Sequence, residues 1–424
     1  MSVITNNTDD IFYSEDIALW YDLYNEEVRL DSKSKSLNLA KSIVDEVSKA
    51  VVNEFGFTVQ SKNLDTLSVN NFLHRQLLLL VTHLCIGGAV ALKPYIADKK
   101  IGVVVVPATN FKAKFDSFGD LKECTFKSVI EDNANTFTLV EYHTYDTTTR
   151  EYRIDYKLYK SSAYGMSGSG MGSEVPLTSC KETQHLTDFV VIEDVDRHLC
   201  VVKTLSNTIY QDVGQAIYAP AIELLYETYK QYDRVMWEYE GGELAIQANA
   251  ELFHKVGSST KKDNYNLPAG KGRLYIALPG ASNDFQVETF APTLRDTEYW
   301  YGLNNLLRRI EFACGLSYGI ISDAGEKEMT ATEIISSKQR YYITINSIRE
   351  VIKTMILEIL DNVCVLSGVV HMGLVDTACV VDFDIDDAIL VSTREKIEEK
   401  LMLVDKGIWS VDEFKDWYNR KQRT

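Results

Sequence analysis

From Tyr341 to Val363 the chain places apolar side chains four and three residues apart, at Tyr341, Ile345, Ile348, Ile352, Met355, Ile359 and Val363. That alternation puts one apolar stripe along a helix. No Gly or Pro interrupts the pattern before Gly368. At its start Thr330 suits the N-cap, and Glu333, three residues on, can reach back to the cap amide. Met329 and Ile334 fall at the flanking hydrophobic-staple positions. From Ala331 to Val365 the predicted helix spans roughly 50 Å, which is long for a globular core and suits a protein that crosses a thick layer or packs the same helix around a ring. A second helical pattern, Asp296 to Cys314, ends at Gly315. Between the two lies a loop, Leu316 to Met329, holding Gly319, Gly325 and a cluster of charges.

Earlier in the chain the pattern predicts an aromatic-rich helix from Ile11 to Tyr24 and a second from Ser34 to Phe55. The second has Leu37, Ala40, Ile43, Val44, Val47 and Val51 on one face, with Gly56 as its C-cap. A third runs from near Asn70 to Cys85 and stops at Gly87-Gly88. The period then changes. Val103 to Val106, Cys124 to Glu131, Phe137 to Tyr145 and Glu151 to Tyr159 read as strands. Pro220 to Tyr239 is an amphipathic helix ended by Gly241-Gly242. Glu243 to Thr289 has the short apolar runs and polar turns of a small strand-rich insertion. After the long helix come a strand from Ala378 to Phe383 and an aspartate-rich linker (Asp382, Asp384, Asp386, Asp387). A helical hairpin follows, with capping boxes at Ser392/Glu395 and Ser410/Glu413, divided by Gly407. The fold class is α+β.

The 424 residues suggest two or three domains, and 45% hydrophobic content allows a large core. A net charge of −17 argues against a protein whose affinity comes from neutralising phosphates, but allows one past which DNA must slide. Seven scattered cysteines, none spaced CxxC, fit a reducing setting. The polar start is no signal peptide, and Leu77 to Leu92, the most apolar window, is too broken to cross a membrane.

Candidate chemistry is sparse. His83 and Cys85 lie two apart on an apolar segment without a second ligand pair, so they read as core residues. Tyr164 to Ser173 is Gly-rich but fits neither phosphate-loop spacing, and Ala269-Gly-Lys-Gly272 is only a fragment of one. The C-terminal aspartates lack the glycine and closing Glu of a calcium loop. No metalloprotease, hydrolase or kinase signature occurs. We therefore expect no catalytic or metal residues and no cofactor. The alternative is a nucleotide-using α+β enzyme working through Gly165 to Gly172.

The order of these elements, with Leu37-Asn-Leu-Ala-Lys41, Val51-Val-Asn-Glu54, Gly87-Gly-Ala-Val-Ala-Leu-Lys-Pro-Tyr95, Phe290-Ala-Pro-Thr-Leu-Arg295, Gly315-Leu-Ser-Tyr-Gly-Ile320 and above all Thr330-Ala-Thr-Glu-Ile334, resembles the portal proteins of tailed double-stranded-DNA phages. The branch is that of long-tailed phages of Gram-positive bacteria, and the resemblance covers nearly the whole chain. It implies a homo-oligomeric ring of twelve subunits around a DNA channel at one capsid vertex. It assigns 1–212 to a wing, 213–240 and 293–315 to stem helices, 241–292 to a clip, 316–329 to a tunnel loop, 330–391 to the long wing helix and closing strand, and 392–424 to a short crown. Ser322, Asp323, Glu326, Lys327 and Glu328 would line the channel. Thr330 and Glu333 would cap the long helix, and Lys261, Lys262, Lys271 and Arg273 would meet DNA or a partner at the clip. The implied partners are double-stranded DNA in transit, the terminase large subunit, the head–tail adaptor, and the major capsid and scaffold proteins, with no membrane. The implied location is the virion, after assembly in the host cytoplasm. Another head or head–tail connector component is the nearer alternative.

Overall fold

The computed structural model describes residues 15–27, 37–53, 55–98, 100–132, 135–162, 172–205, 214–249, 275–278, 287–323, 331–371, 378–385, 393–407, 409–411, 414–415 and 418. The chain divides into two compact units, one formed by Met1–Val28, Asn38–Ala221 and Glu311–Thr424, the other by Arg29–Leu37 and Ile222–Ile310.

The larger unit opens with helices α1 (Glu15–Asn25) and α2 (Leu39–Asn53), strand β1 (Phe55–Ser61) and helix α3 (Leu64–Gly87). The start of α3 is earlier than its apolar pattern suggests, because Asn63 caps it. Its Oδ1 accepts from the Asp65 amide at 3.0 Å. The end is where the two glycines predict. Gly88 sits at φ 66°, and a Cβ there would stand 2.3 Å from the Gln215 backbone, so only glycine fits.

Strands β2 (Ala89–Ala97), β3 (Lys100–Pro107) and β10 (Val201–Thr204) form one antiparallel sheet in the order β10-β2-β3. A second sheet runs β4 (Phe111–Phe115), β5 (Leu121–Asp132), β6 (Asn135–Asp146), β7 (Glu151–Ser162), β8 (Ser173–Val175), with β9 (Phe189–Ile192) also laid against β7. Aromatic and aliphatic residues at alternate positions face inward, among them Phe126, Phe137, Leu139 and Leu158.

The smaller unit holds helix α4 (Ile222–Gly241), strands β11 (Ala245–Asn249), β12 (Tyr275–Leu278) and β13 (Val287–Phe290), and most of helix α5 (Asp296–Ala313). The strands form a sheet in the order β12-β11-β13. Glu238 of α4 ties in the residue before α5: its carboxylate accepts from the Arg295 backbone amide at 3.1 Å and from the guanidinium at 2.8 Å. Helix α6 (Ala331–Val370, 40 residues) returns to the larger unit, followed by β14 (Cys379–Ile385) and α7 (Thr393–Asp405).

The apolar stripe is real, but its partners are the chain's own. Ile345, Ile348, Ile352, Met355, Ile359 and Val363 are all fully buried, and α6 packs on α2, α3, β2, β10 and β14. The helix also runs past Val365 and through Gly368, where packing outweighs the roughly 1 kcal/mol helix penalty of glycine. At its C-terminal end Asp65 accepts from Ser367 Oγ (3.2 Å) and contacts His371 Nε2 (2.9 Å), pinning the end of α6 to the start of α3.

Two expectations are corrected by the pairing of β1 with β14. Gly56 is not a C-cap: α2 ends at Asn53, and Gly56 lies within β1, opposite Asp384. Nor are Asp382 and Asp384 in a linker, since both are in β14, opposite Thr58 and Gly56. A partner more than three hundred residues away in sequence overrides the local signal. Asp386, Asp387, the Gly-rich stretch 163–171, the cap residues Ser392 and Glu413, and helix positions 11–14 lie outside the described residues, and Glu395 is within α7 with its side chain outside the described set.

Arg349 is the most unusual group in this core, with 1% of its surface exposed. Its guanidinium donates to the carbonyls of Ala50 (3.0 Å) and Val51 (3.3 Å) in the last turn of α2. A cation is favoured there by the unpaired carbonyls and the helix dipole. Arg349→Met keeps the apolar stem but leaves these acceptors without partners. It should cost about 2–3 kcal/mol, measured by urea denaturation.

Candidate functional site

The loop between α5 and α6 is built around one buried carboxylate. Glu311, in the last turn of α5, has no exposed surface. Its Oε1 accepts from the backbone amides of Gly319 (3.1 Å), Ile321 (2.8 Å) and Ser322 (2.9 Å), and its Oε2 from the Ser322 hydroxyl (2.7 Å). The Glu311 carbonyl also accepts from the Leu316 amide at 2.8 Å. A buried carboxylate is tolerated only when it is so supplied with donors.

Helix α6 grips the same loop through Ser337, Arg340 and Thr344. Ser337 Oγ accepts from the Tyr318 amide (2.8 Å) and meets Ser317 Oγ at 3.2 Å. Thr344 Oγ1 donates to the Gly315 carbonyl (3.1 Å), and Arg340 donates to the Leu316 carbonyl (3.3 Å) while its guanidinium lies over the rings of Phe312 and Tyr318. Gly315 turns the chain at φ 70°, with so little room that a Cβ would stand 2.4 Å from Thr344 Oγ1.

Of the residues expected along a channel, Ser322 is buried and spends its side chain on the Glu311 anchorage, while Asp323 is exposed. Glu326, Lys327, Glu328 and Thr330 lie outside the described residues, as do Lys261, Lys262, Lys271 and Arg273. Glu333 is within α6, but its side chain is outside the described set. Glu311, Ser337, Arg340 and Thr344 were not singled out from sequence. Polar residues on a helix give no sign of which loop they will hold, although a Glu beside two apolar neighbours, Ile310 and Phe312, is a weak signal of burial.

A second polar cluster lies inside the larger unit. His143 Nδ1 meets the Tyr152 hydroxyl at 2.7 Å and Cys200 Sγ at 3.7 Å, and its Nε2 meets Glu141 at 3.2 Å. Lys93 completes it with a 2.6 Å bond to Glu141. Burial lowers the His143 pKa, but the Cys200 sulfur and Glu141 carboxylate outweigh it and raise the value to about 9. Burial raises that of Glu141, yet His143 and Lys93 bring it down to about 2. His198, beside them, is lowered to about 4, chiefly by burial. The thiol–imidazole–carboxylate series resembles a nucleophile with its base. However, Cys200 and His143 are only 3% and 2% exposed, and the Tyr152 hydroxyl bonds both, at 3.2 Å to Cys200. The cluster thus ties β2, β6, β7 and the residue before β10 together. Cys85 is fully buried, whereas His83 is half-buried, its Nδ1 3.2 Å from the Tyr21 hydroxyl.

An open groove of about 990 Å³ runs over this cluster, lined by residues including Lys122, Arg153, Arg197, Lys203 and Glu358. Its cations are largely committed: Arg197 to Asp196 and Asp361, Lys203 to Glu358, Arg153 to Asp155. Among the described residues no group of three or more His, Cys, Asp or Glu side chains is arranged to hold a metal ion, and no helix is long and apolar enough to cross a membrane.

No protein-family model matches the chain, and no curated protein matches it. Solved structures similar to it include two from gene transfer agent particles. One is a chain of the virion of a native gene transfer agent particle, with TM-score 0.43, 10% identity, and coverage of 94% of this chain and 90% of that one. The other is from the neck of the native gene transfer agent particle, computed with C12 symmetry, with TM-score 0.42, 9% identity, and coverage of 94% and 91%. Likenesses at these TM-scores assign neither fold nor role.

Two measurements test the site. Glu311→Gln removes the acceptor of the Ser322 hydroxyl and weakens three charge-assisted bonds. It should cost about 2–3 kcal/mol and speed amide exchange at Gly319, Ile321 and Ser322 above that of the sheet. For His143 the folded pKa lies above the ordinary value of about 6.5. Its stabilising contribution is therefore complete below that pH and is lost as pH rises through about 9. Denaturation midpoints should fall from about pH 7 to pH 10, and His143→Gln should flatten that slope.

Proposed function

We propose that this chain is the subunit of a phage portal, a ring through which double-stranded DNA enters and leaves a capsid. The observation that carries the reading is the order of parts after Ala221. Two helices, α4 and α5, flank a small three-stranded sheet, an anchored loop follows, and a 40-residue helix comes next. On this reading α4 and α5 are the stem, β11 to β13 belong to the clip, the loop after Gly315 lines the channel, α6 braces the wing and α7 belongs to the crown. The implied partners are a packaging motor, a head–tail adaptor, and capsid and scaffold proteins.

Two physical features support it. A loop facing moving DNA needs a rigid base, and Glu311 with Ser337, Arg340 and Thr344 supplies one. The stem and clip residues also leave aromatic surface in water, including Trp237 (66% exposed), Trp300 and Tyr301. Exposed Trp and Tyr of this kind mark interfaces. A ring of twelve chains at −17 each carries a charge on the order of −200, which opposes trapping of phosphates during transit.

Multi-angle light scattering and negative-stain microscopy of the purified full chain test the reading. Twelve copies of the 48.0 kDa chain come to about 580 kDa, with a central hole. A monomer under every assembly condition would sink it. Trp300→Glu should shift the population toward monomer at least tenfold while leaving circular dichroism unchanged, because a charge in an aromatic interface loses its solvation.

A further inference from the structure

The larger sheet ends in two unlike edges. At one end β4 pairs, among the described residues, only with β5, and its sequence Phe-Lys-Ala-Lys-Phe puts Lys112 and Lys114 in solvent. Lys114 is bonded to Glu123, whereas Lys112 has no ion pair among the described residues. At the other end β9 reads Phe-Val-Val-Ile, flanked by exposed Asp188, Glu193 and Asp194. No cation pairs with Asp188 or Glu193 among the described residues, and Asp194 pairs with Arg150.

The β9 edge is open in its backbone as well. Tyr156 N donates to the Asp188 carbonyl at 2.9 Å. Bonded pairs alternate in an antiparallel ladder, so Val190 turns its amide and carbonyl toward β7 while Phe189 and Val191 turn theirs away. Thr187 Oγ1 occupies the Phe189 carbonyl at 2.9 Å. Phe189, Val190 and Val191 are 53%, 38% and 37% exposed, so apolar side chains stand in water on both faces of the strand. An open apolar edge of this kind invites another strand.

We propose that β9 of one chain pairs with β4 of the next, extending the sheet from copy to copy. The two edges match in length, four residues against five. They are opposite in charge, which favours this pairing over β9 with β9 or β4 with β4. Each chain offers one edge and receives the other, the head-to-tail contact that closes into a ring. The inference rests on the ring reading above, since it needs a neighbouring copy.

The test uses the full chain. Val191→Cys and Lys112→Cys are made in separate proteins, mixed, assembled and treated with a short bis-maleimide. A crosslinked dimer is expected from the mixture at least tenfold above either variant alone or wild type. A crosslink from Val191→Cys alone would mean β9 against β9 and would overturn the proposal. Rings by light scattering with no crosslink would overturn the strand pairing and leave the ring reading standing. A wild-type chain that never assembles would sink both. Val191→Pro gives an independent check, because it removes only the outward amide. Rings should be lost with circular dichroism kept, and unchanged rings would refute the pairing.

Discussion

A helix of 40 residues stays straight in water only if one side is kept dry along much of its length. In this chain α6 meets that demand by laying its stripe against α2, α3 and β10. Isolated, it would expose some six large apolar side chains and melt at its ends. Packed, it becomes the frame that fixes the larger unit. The same helix carries Arg349 to the end of α2, and its last turns carry Ser367 and His371 to Asp65. Groups far apart in sequence therefore share one rigid reference.

That rigidity is what the loop before α6 borrows. A loop without regular structure has to satisfy its own amides, and this one directs three of them at a single carboxylate. Glu311 is buried without a lysine or arginine bonded to it among the described residues, so hydrogen bonds alone offset its lost hydration. Because Ser337, Arg340 and Thr344 stand about a turn apart on α6, the loop's path follows the helix. A change in either would move Gly315 to Ser322.

Much of this was legible beforehand, for a definite reason. The stripe from Ile345 to Val363, the stop at Gly87-Gly88, the alternating strands from Leu121 to Ser162 and the turn at Gly315 are local signals, and their physics acts within a few residues. What misled was equally local. Gly56 resembles a C-cap and Asp382 with Asp384 resembles a solvated linker, yet each belongs to a strand because the other strand is there. The length of α6 suggested packing on its own wing as well as on neighbouring subunits, and within one chain its apolar stripe is buried from Ile345 to Val363. The His143–Glu141–Cys200 cluster could not be foreseen, since Cys200 and Lys93, at the β10-β2-β3 sheet, meet His143 and Glu141 of the second sheet only through tertiary packing.

The sequence alone thus determined the α+β class, the order of the helices, the stops at Gly87-Gly88 and Gly315 and the stripe of α6, all set by periodicity and backbone sterics over short distances. Only the tertiary structure decided that Glu311 would hold the loop, that Ser322 would turn inward to it, that Arg349 would cap a helix three hundred residues earlier, and that β9 would be left as an edge. Those outcomes depend on which groups burial brings together and which donors then lack water, and no run of neighbouring residues contains that information.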